Sequence, residues 1–120
     1  MKSLAAFVST LALAVSATGF STAALALDVE AAKGLAEQNN CTQCHGLRKE
    51  KDGPSFMKTA EKYKGKASAV DELVKHMTSG KDVKLADGTS EKHKIAKTMP
   101  ANDTAQLKNL AEYILSIQPK

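Results

Sequence analysis

Residues 41–45 read Cys-Thr-Gln-Cys-His, and Cys41 and Cys44 are the only cysteines in the chain. Two thiols three positions apart, with a histidine directly behind the second, form the attachment signature of c-type haem. The spacing has a chemical reason. Cysteines on adjoining turns of backbone reach the two vinyl groups of one porphyrin as thioethers. His45 then falls under the ring centre, where a neutral imidazole nitrogen binds iron. With no cysteine left over, the expectation is one covalent haem. Three plainer readings of the pair fit less well. A thioredoxin-like redox pair wants a βαβ pattern nearby, and no strand-helix-strand alternation is evident. Structural zinc needs four ligands, and His76 and His93 lie far along the chain. A disulfide across two residues would close a strained loop with little gain in chain entropy.

The N-terminus supplies context. Met1-Lys2 is a short basic start, Leu4 to Val15 is mostly apolar, and Ala24-Leu25-Ala26 offers a small-x-small cleavage site. Residues 1–26 therefore read as a secretory signal peptide, cut after Ala26. The apolar run is too short and too interrupted by Ser and Thr for a membrane span. No later stretch resembles one, so no stable membrane insertion is expected after cleavage. Export fits the motif, because bacterial c-type haem is attached outside the cytoplasm, and the periplasm is the expected location.

Cleavage would leave residues 27–120 as one small domain. Lys2 is the one charged residue lost, so 17 basic residues become 16 against 13 acidic, a balance of +3. The only aromatic rings beyond position 26 are Phe56, Tyr63 and Tyr113, and there is no tryptophan. That supply is poor for a chain whose core can only be modest. It makes sense if the porphyrin is the largest apolar object inside.

The pattern along residues 27–120 is one of helices and loops, with no convincing period-2 run. Asp28 caps a first helix over roughly 29–39, with Val29, Ala32, Leu35 and Ala36 on one face. A short helical piece is expected from Ser55 to Tyr63. A clearer one follows Ser68 as N-cap with Asp71 three residues on. Its stripe is Val70, Leu73, Val74 and Met77, and Gly80 stops it. Residues 81–101 read as a polar, lysine-rich loop with Asp87-Gly88 as a turn, and loops of this length are more often functional. The last helix starts at Asp103, with Gln106 in capping-box position and Pro119 closing it. Leu107, Leu110, Ala111, Ile114 and Ile117 form its apolar stripe.

A haem iron with one histidine has a second face, and its occupant decides the chemistry. Met57, Met77, Met99, His76 and His93 are the candidates. Met77 lies on the apolar stripe of its helix and Met57 reads as packing. His76 falls off the stripe and is expected to face solvent. Met99 stands apart because it comes late in the long loop and Pro100 stiffens the backbone behind it.

These elements, in this order, make the chain resemble the class I cytochromes c of the small bacterial periplasmic type. The resemblance spans a first helix, Cys41-x-x-Cys44-His45, Gly53-Pro54, a middle helix, Met99-Pro100 and a closing helix. It implies an all-α fold, three to four helices wrapped around one covalent haem c. It further implies His45 as proximal ligand, Met99 as distal ligand, and a Pro54 carbonyl that accepts from the other ring nitrogen of His45, fixing and enriching the imidazole. Gly34 and Tyr113 would mark a close crossing of the first and last helices. Many small relatives hold a haem propionate with a tryptophan before the methionine. This chain has none, which leaves Lys92, Lys94 or Lys97 for that role and His93 as the rival to Met99.

A closed methionine–histidine site has no position for substrate, so the implied function is a one-electron carrier and not an enzyme. No nucleophilic triad, carboxylate pair or phosphate loop argues otherwise. The implied partners are redox proteins. Arg48, Lys49, Lys51, Lys92, Lys94 and Lys97 would form a basic ring that steers an acidic one, although Glu50, Asp52 and Glu91 interleave with them. Nucleic acid is excluded by the small net charge and the lack of aromatic-basic interleaving. A monomer is expected. The competing readings are a gas-binding or sensing haem protein with an open or labile distal site, and a haem subunit of a larger oxidoreductase complex.

Overall fold

The structure is a computed structural model that describes residues 26–119. The expected signal peptide lies outside the described residues but for Ala26. The order of elements is α1 (Val29–Gln38), α2 (Cys41–Cys44), α3 (Phe56–Tyr63), α4 (Ala69–Ser79), β1 (Asp82–Lys84), β2 (Ser90–Lys92) and α5 (Thr104–Leu115). Among the described residues, no helix is long and apolar enough to cross a membrane.

Helix α1 begins where the Asp28 carboxylate accepts the Ala31 N–H at 3.0 Å. It buries Ala32, Leu35 and Ala36. It ends before Asn40, which takes the left-handed conformation (φ 56°) that asparagine tolerates and so turns the chain into α2. Ser55 caps α3 by accepting the Lys58 N–H at 3.1 Å, and Asp103 caps α5 by accepting that of Gln106 at 3.1 Å. Gly80 (φ 60°) ends α4 in the left-handed conformation that favours glycine at this position.

Helix α5 is the hub. It packs against α1, α3 and α4, and its Leu107, Leu110, Ala111, Tyr113 and Ile114 meet Leu35, Phe56, Leu73 and Met77 in one core. The ends of α1 and α5 are also tied. The Asp28 N–H donates to Asn109 Oδ1 at 2.9 Å, and Asn109 Nδ2 donates to the Asp28 carbonyl at 2.8 Å.

Several local expectations need correction. Residues 81–101 are not wholly irregular, because β1 and β2 pair antiparallel with Asp82 opposite Lys92, Val83 opposite Glu91 and Lys84 opposite Ser90. The turn between them uses Gly88 at φ 87°, and Asp87 accepts the Thr89 N–H at 2.9 Å. The polar strands hid the hairpin, since neither carries an alternating apolar face. Ser68 stands at the N-cap of α4 without capping it; its hydroxyl donates to Glu72 at 2.6 Å instead. Helix α5 stops at Leu115, ahead of Pro119. A side chain at Gly34 would meet no atom within 4 Å, so α1 and α5 do not touch through that residue. Val29 is 38% exposed and not part of the core face.

Candidate haem site

A cavity of about 360 Å³ opens between the motif, α3, α4, α5 and the segment after β2. Cys41, Cys44 and His45 line it together with Gly53, Pro54 and Phe56. Leu73, Met77, Leu110 and Ile114 supply apolar wall from α4 and α5, and Ile95 from the segment after β2. Its size lies within the range of cofactor sites. Both thiols, one imidazole and an apolar lining share a single concavity, which is the donor set and the wall that covalently attached haem requires. The residues fit the group.

His45 is held from two sides. Its Nδ1 lies 2.7 Å from the Pro54 carbonyl oxygen. A carbonyl can only accept, so Nδ1 carries the proton and Nε2 keeps its lone pair for a metal. The ring stacks on Phe56, with centroids 5.8 Å apart and planes 19° apart. The loop that places it needs two glycines. A side chain at Gly46 would collide with the Lys49 carbonyl oxygen, and one at Gly53 would meet His45 Cε1 at 2.8 Å. Burial pushes the Cys41 thiol up, so it stays protonated at neutral pH.

Met99 does not share this cavity. The residue is 86% exposed, and it is not part of the lining. Its backbone is nonetheless fixed. The Met99 carbonyl accepts from Gln106 Nε2 at 2.9 Å. The neighbouring Thr98 is buried, and its hydroxyl donates to the Pro100 carbonyl at 2.7 Å while accepting the Asp103 N–H at 2.8 Å. Two residues further back, the side chain of Asn39 accepts the Lys97 N–H at 2.7 Å and donates to the Lys97 carbonyl at 2.9 Å.

Two other histidines do enter the cavity. His93 is half-buried, with its ring centroid 6.0 Å from that of His45. His76 stands 4.4 Å from His93, ring centre to ring centre. Burial, above all, holds both below the ordinary imidazole range, and each also feels the charge of His45. The expected exposure of His76 is therefore corrected: it is half-buried at the rim of the α4 stripe, one residue before Met77. Its place three residues after Leu73 was the available signal. Of the lysines considered for the propionates, Lys94 lines the cavity while Lys92 and Lys97 do not; Lys92 lies 3.5 Å from Asp82. Met57 is half-buried and outside the cavity, against the guanidinium of Arg48.

Residues 29–118 match the family model described as Cytochrome c. The chain is 38% identical over 85 residues to cytochrome c-552 of Hydrogenobacter thermophilus, covering 70% of this chain and 79% of that one. Among solved structures it is similar to the class 1 cytochrome MtoD of Sideroxydans lithotrophicus ES-1, with a TM-score of 0.72 and 51% identity. That match covers 78% of this chain and all of the other. Cytochrome c552 of Nitrosomonas europaea superposes with a TM-score of 0.58 at 26% identity, covering 72% of this chain and 99% of that one.

Proposed function

The chain belongs to the cytochrome c family, and from that premise we propose that it is an exported one-electron carrier whose single covalent haem c is bound through iron by His45 and Met99. The observation that carries this reading is the common cavity of Cys41, Cys44 and His45, with the His45 Nδ1 proton committed to the Pro54 carbonyl. When bound, haem c supplies reversible one-electron chemistry at iron.

The chain's own residues supply the rest. Pro54 holds the imidazole in the tautomer that presents Nε2 and makes it a stronger donor. Phe56, Leu73, Met77, Leu110 and Ile114 keep water from the proximal and inner walls, which favours the less charged state of a buried site. Met99 fits the distal role by its place in the sequence, ahead of Pro100 and the last helix, and by the support of its backbone. Its flanking backbone is pinned at Lys97, Thr98 and Asp103, while the thioether is left without packing of its own. A thioether opposite imidazole raises the reduction potential relative to two imidazoles. Residues 1–26 fit export to the periplasm as a cleaved signal peptide, with residues 27–120 as the working domain. Lys94, exposed and lining the cavity, fits an acidic redox partner.

The exposure of Met99 favours one second reading, a haem protein with a labile distal site that takes up a small gaseous ligand. Two spectra on the purified haem-loaded protein separate them. The carrier is expected to show a near-infrared sulfur-to-iron charge-transfer band when oxidised, lost in Met99→Ala, and to bind carbon monoxide slowly when reduced. Prompt carbon monoxide binding at neutral pH, with no such band, would establish the labile site instead.

A further inference from the structure

His93 and His45 are prepared in the same way. Each donates its Nδ1 proton to a main-chain carbonyl, His45 to Pro54 at 2.7 Å and His93 to its neighbour Lys94 at 2.8 Å. Each therefore leaves Nε2 as a lone pair, and metal-binding histidines are commonly oriented by such a carbonyl. Among the described residues, neither Nε2 has a hydrogen-bond partner, and neither is a buried unpaired atom, so both are accessible. Both rings line one cavity, 6.0 Å apart between centroids. Two imidazoles bound through ring nitrogens on opposite sides of one metal, each at about 2 Å, place their ring centres about 6 Å apart.

The backbone around His93 is fixed independently of Met99. Its N–H donates to the Lys81 carbonyl at 2.8 Å at the root of the β1–β2 hairpin, and Ala96 N–H donates to the Met77 carbonyl at 2.8 Å. His76 packs beside the His93 ring from α4, with ring centroids 4.4 Å apart. Met99, six residues on, has its own anchors.

We propose that His93 is an alternative distal ligand, which takes the iron face opposite His45 whenever the Met99 thioether leaves it. The inference rests on the reading above for His45 and Met99. The exchange breaks one iron–sulfur bond and forms one iron–nitrogen bond. No electron is transferred, and no proton need move because the Nε2 lone pair is already present. Since two imidazoles favour the oxidised state relative to imidazole and thioether, the exchange lowers the potential of the carrier.

The test uses haem-loaded protein at neutral pH and compares wild type, His93→Ala, Met99→Ala and the double variant by electronic absorption, electron paramagnetic resonance and voltammetry. Wild type and His93→Ala are expected to share the sulfur-to-iron band, which also establishes that the His93 variant folds. Met99→Ala is expected to lose that band yet remain low-spin, with the resonance pattern of two imidazoles and a lower potential. The double variant is expected to become high-spin. A Met99→Ala protein that is already high-spin overturns the proposal and leaves the methionine assignment standing. A double variant that stays low-spin overturns it by showing another donor. A wild type without the sulfur-to-iron band overturns the methionine assignment, and the exchange with it.

Discussion

The side chain of Asn39 pairs with the backbone of Lys97 in both directions, accepting its N–H at 2.7 Å and donating to its carbonyl at 2.9 Å. The same amide nitrogen also donates to the Leu35 carbonyl at 2.9 Å, inside the last turn of α1. One residue thus fastens the segment that carries Met99 to the helix that precedes the haem motif, across 58 positions of sequence.

Asn39→Ala removes these bonds at a half-buried position and leaves no replacement. The expected cost is about 1–2 kcal/mol of stability, measured by denaturant unfolding of the haem-loaded protein. The more specific consequence is local. Hydrogen exchange at the Lys97 amide should accelerate, and imidazole should bind the oxidised protein faster than in wild type. Unchanged exchange at Lys97 would refute the clamp.

Gly53 packs against the His45 ring. A methyl group there would stand 2.8 Å from His45 Cε1 and 3.1 Å from Nδ1, so either the ring or the 51–54 turn must shift. In Gly53→Ala the bond from Nδ1 to Pro54 is expected to weaken, making the imidazole a poorer donor. The oxidised state then loses support and the potential rises. One hydrogen bond of about 0.5–1.5 kcal/mol corresponds to roughly 20–60 mV for a one-electron couple. Voltammetry checks the sign, and a fall in potential would contradict the argument.

Much of this architecture is legible in the sequence because it is local. Asp28 and Asp103 announce helix starts by their side-chain chemistry, and both cap as expected, whereas Ser55, expected as the first residue of its helix, stands just ahead of it as the cap. The motif names Cys41, Cys44 and His45, which the fold does gather in one cavity. The illegible parts depend on distant partners. Asn39 and Asn109 look like ordinary polar residues until the segment each one clamps is in place. Ser68 loses its capping role to Glu72, a competition between two oxygens on the same turn. His76 lies at the edge of its stripe, and whether an edge residue meets solvent or a cavity depends on what crosses above it. Here that is the segment after β2, carrying His93.

Acid should act on the segment that carries Met99 through Asp103. Its carboxyl is held below the usual carboxylate range, first by the Gln106 N–H and then by the Gln106 side-chain amide. A depressed folded-state value means stabilisation that is complete above about pH 4 and lost as pH falls through the folded-state value. Gln106 also holds the Met99 carbonyl, so the sulfur-to-iron band should weaken in this acid window. Asp103→Asn keeps a capping side chain but cannot titrate there. It is expected to remove the component of the acid transition that begins near pH 4, as followed by the band. An identical transition in the variant would assign that step to other groups.

Charge at the cavity rim should govern encounter rates. Lys94 lines the rim with its side chain exposed, whereas Lys51 is committed to the Thr42 carbonyl and Arg48 to that of Gln118. Reduction of an anionic iron cyanide complex is expected to slow several-fold in Lys94→Glu at low salt, and reduction of a cationic ruthenium ammine complex to accelerate. Both differences should vanish near 1 M salt, where screening acts within about 3 Å. Equal rates for variant and wild type at low salt would place the electron-transfer edge elsewhere.

The folded state itself should depend on the haem. Phe56, Leu73, Met77, Leu110 and Ile114 belong to the core, yet all five also face the cavity. Leu110 is the largest fully buried hydrophobic side chain, so the wall reaches the centre of the packing. Much of the remaining core is alanine, at positions 32, 36, 60, 69 and 111, which contributes little burial per residue. Water in the cavity would therefore cost several large side chains their apolar neighbour, in a domain too small to absorb the loss. Cys41→Ala/Cys44→Ala protein, produced without haem, is expected to lose most of its helical circular dichroism and all strong amide protection. Haem added back without thioethers should restore part of both through His45 alone. A cooperative, native-like melt of the haem-free variant would mean that α1 and α5, with their Asp28–Asn109 tie, suffice to hold the fold.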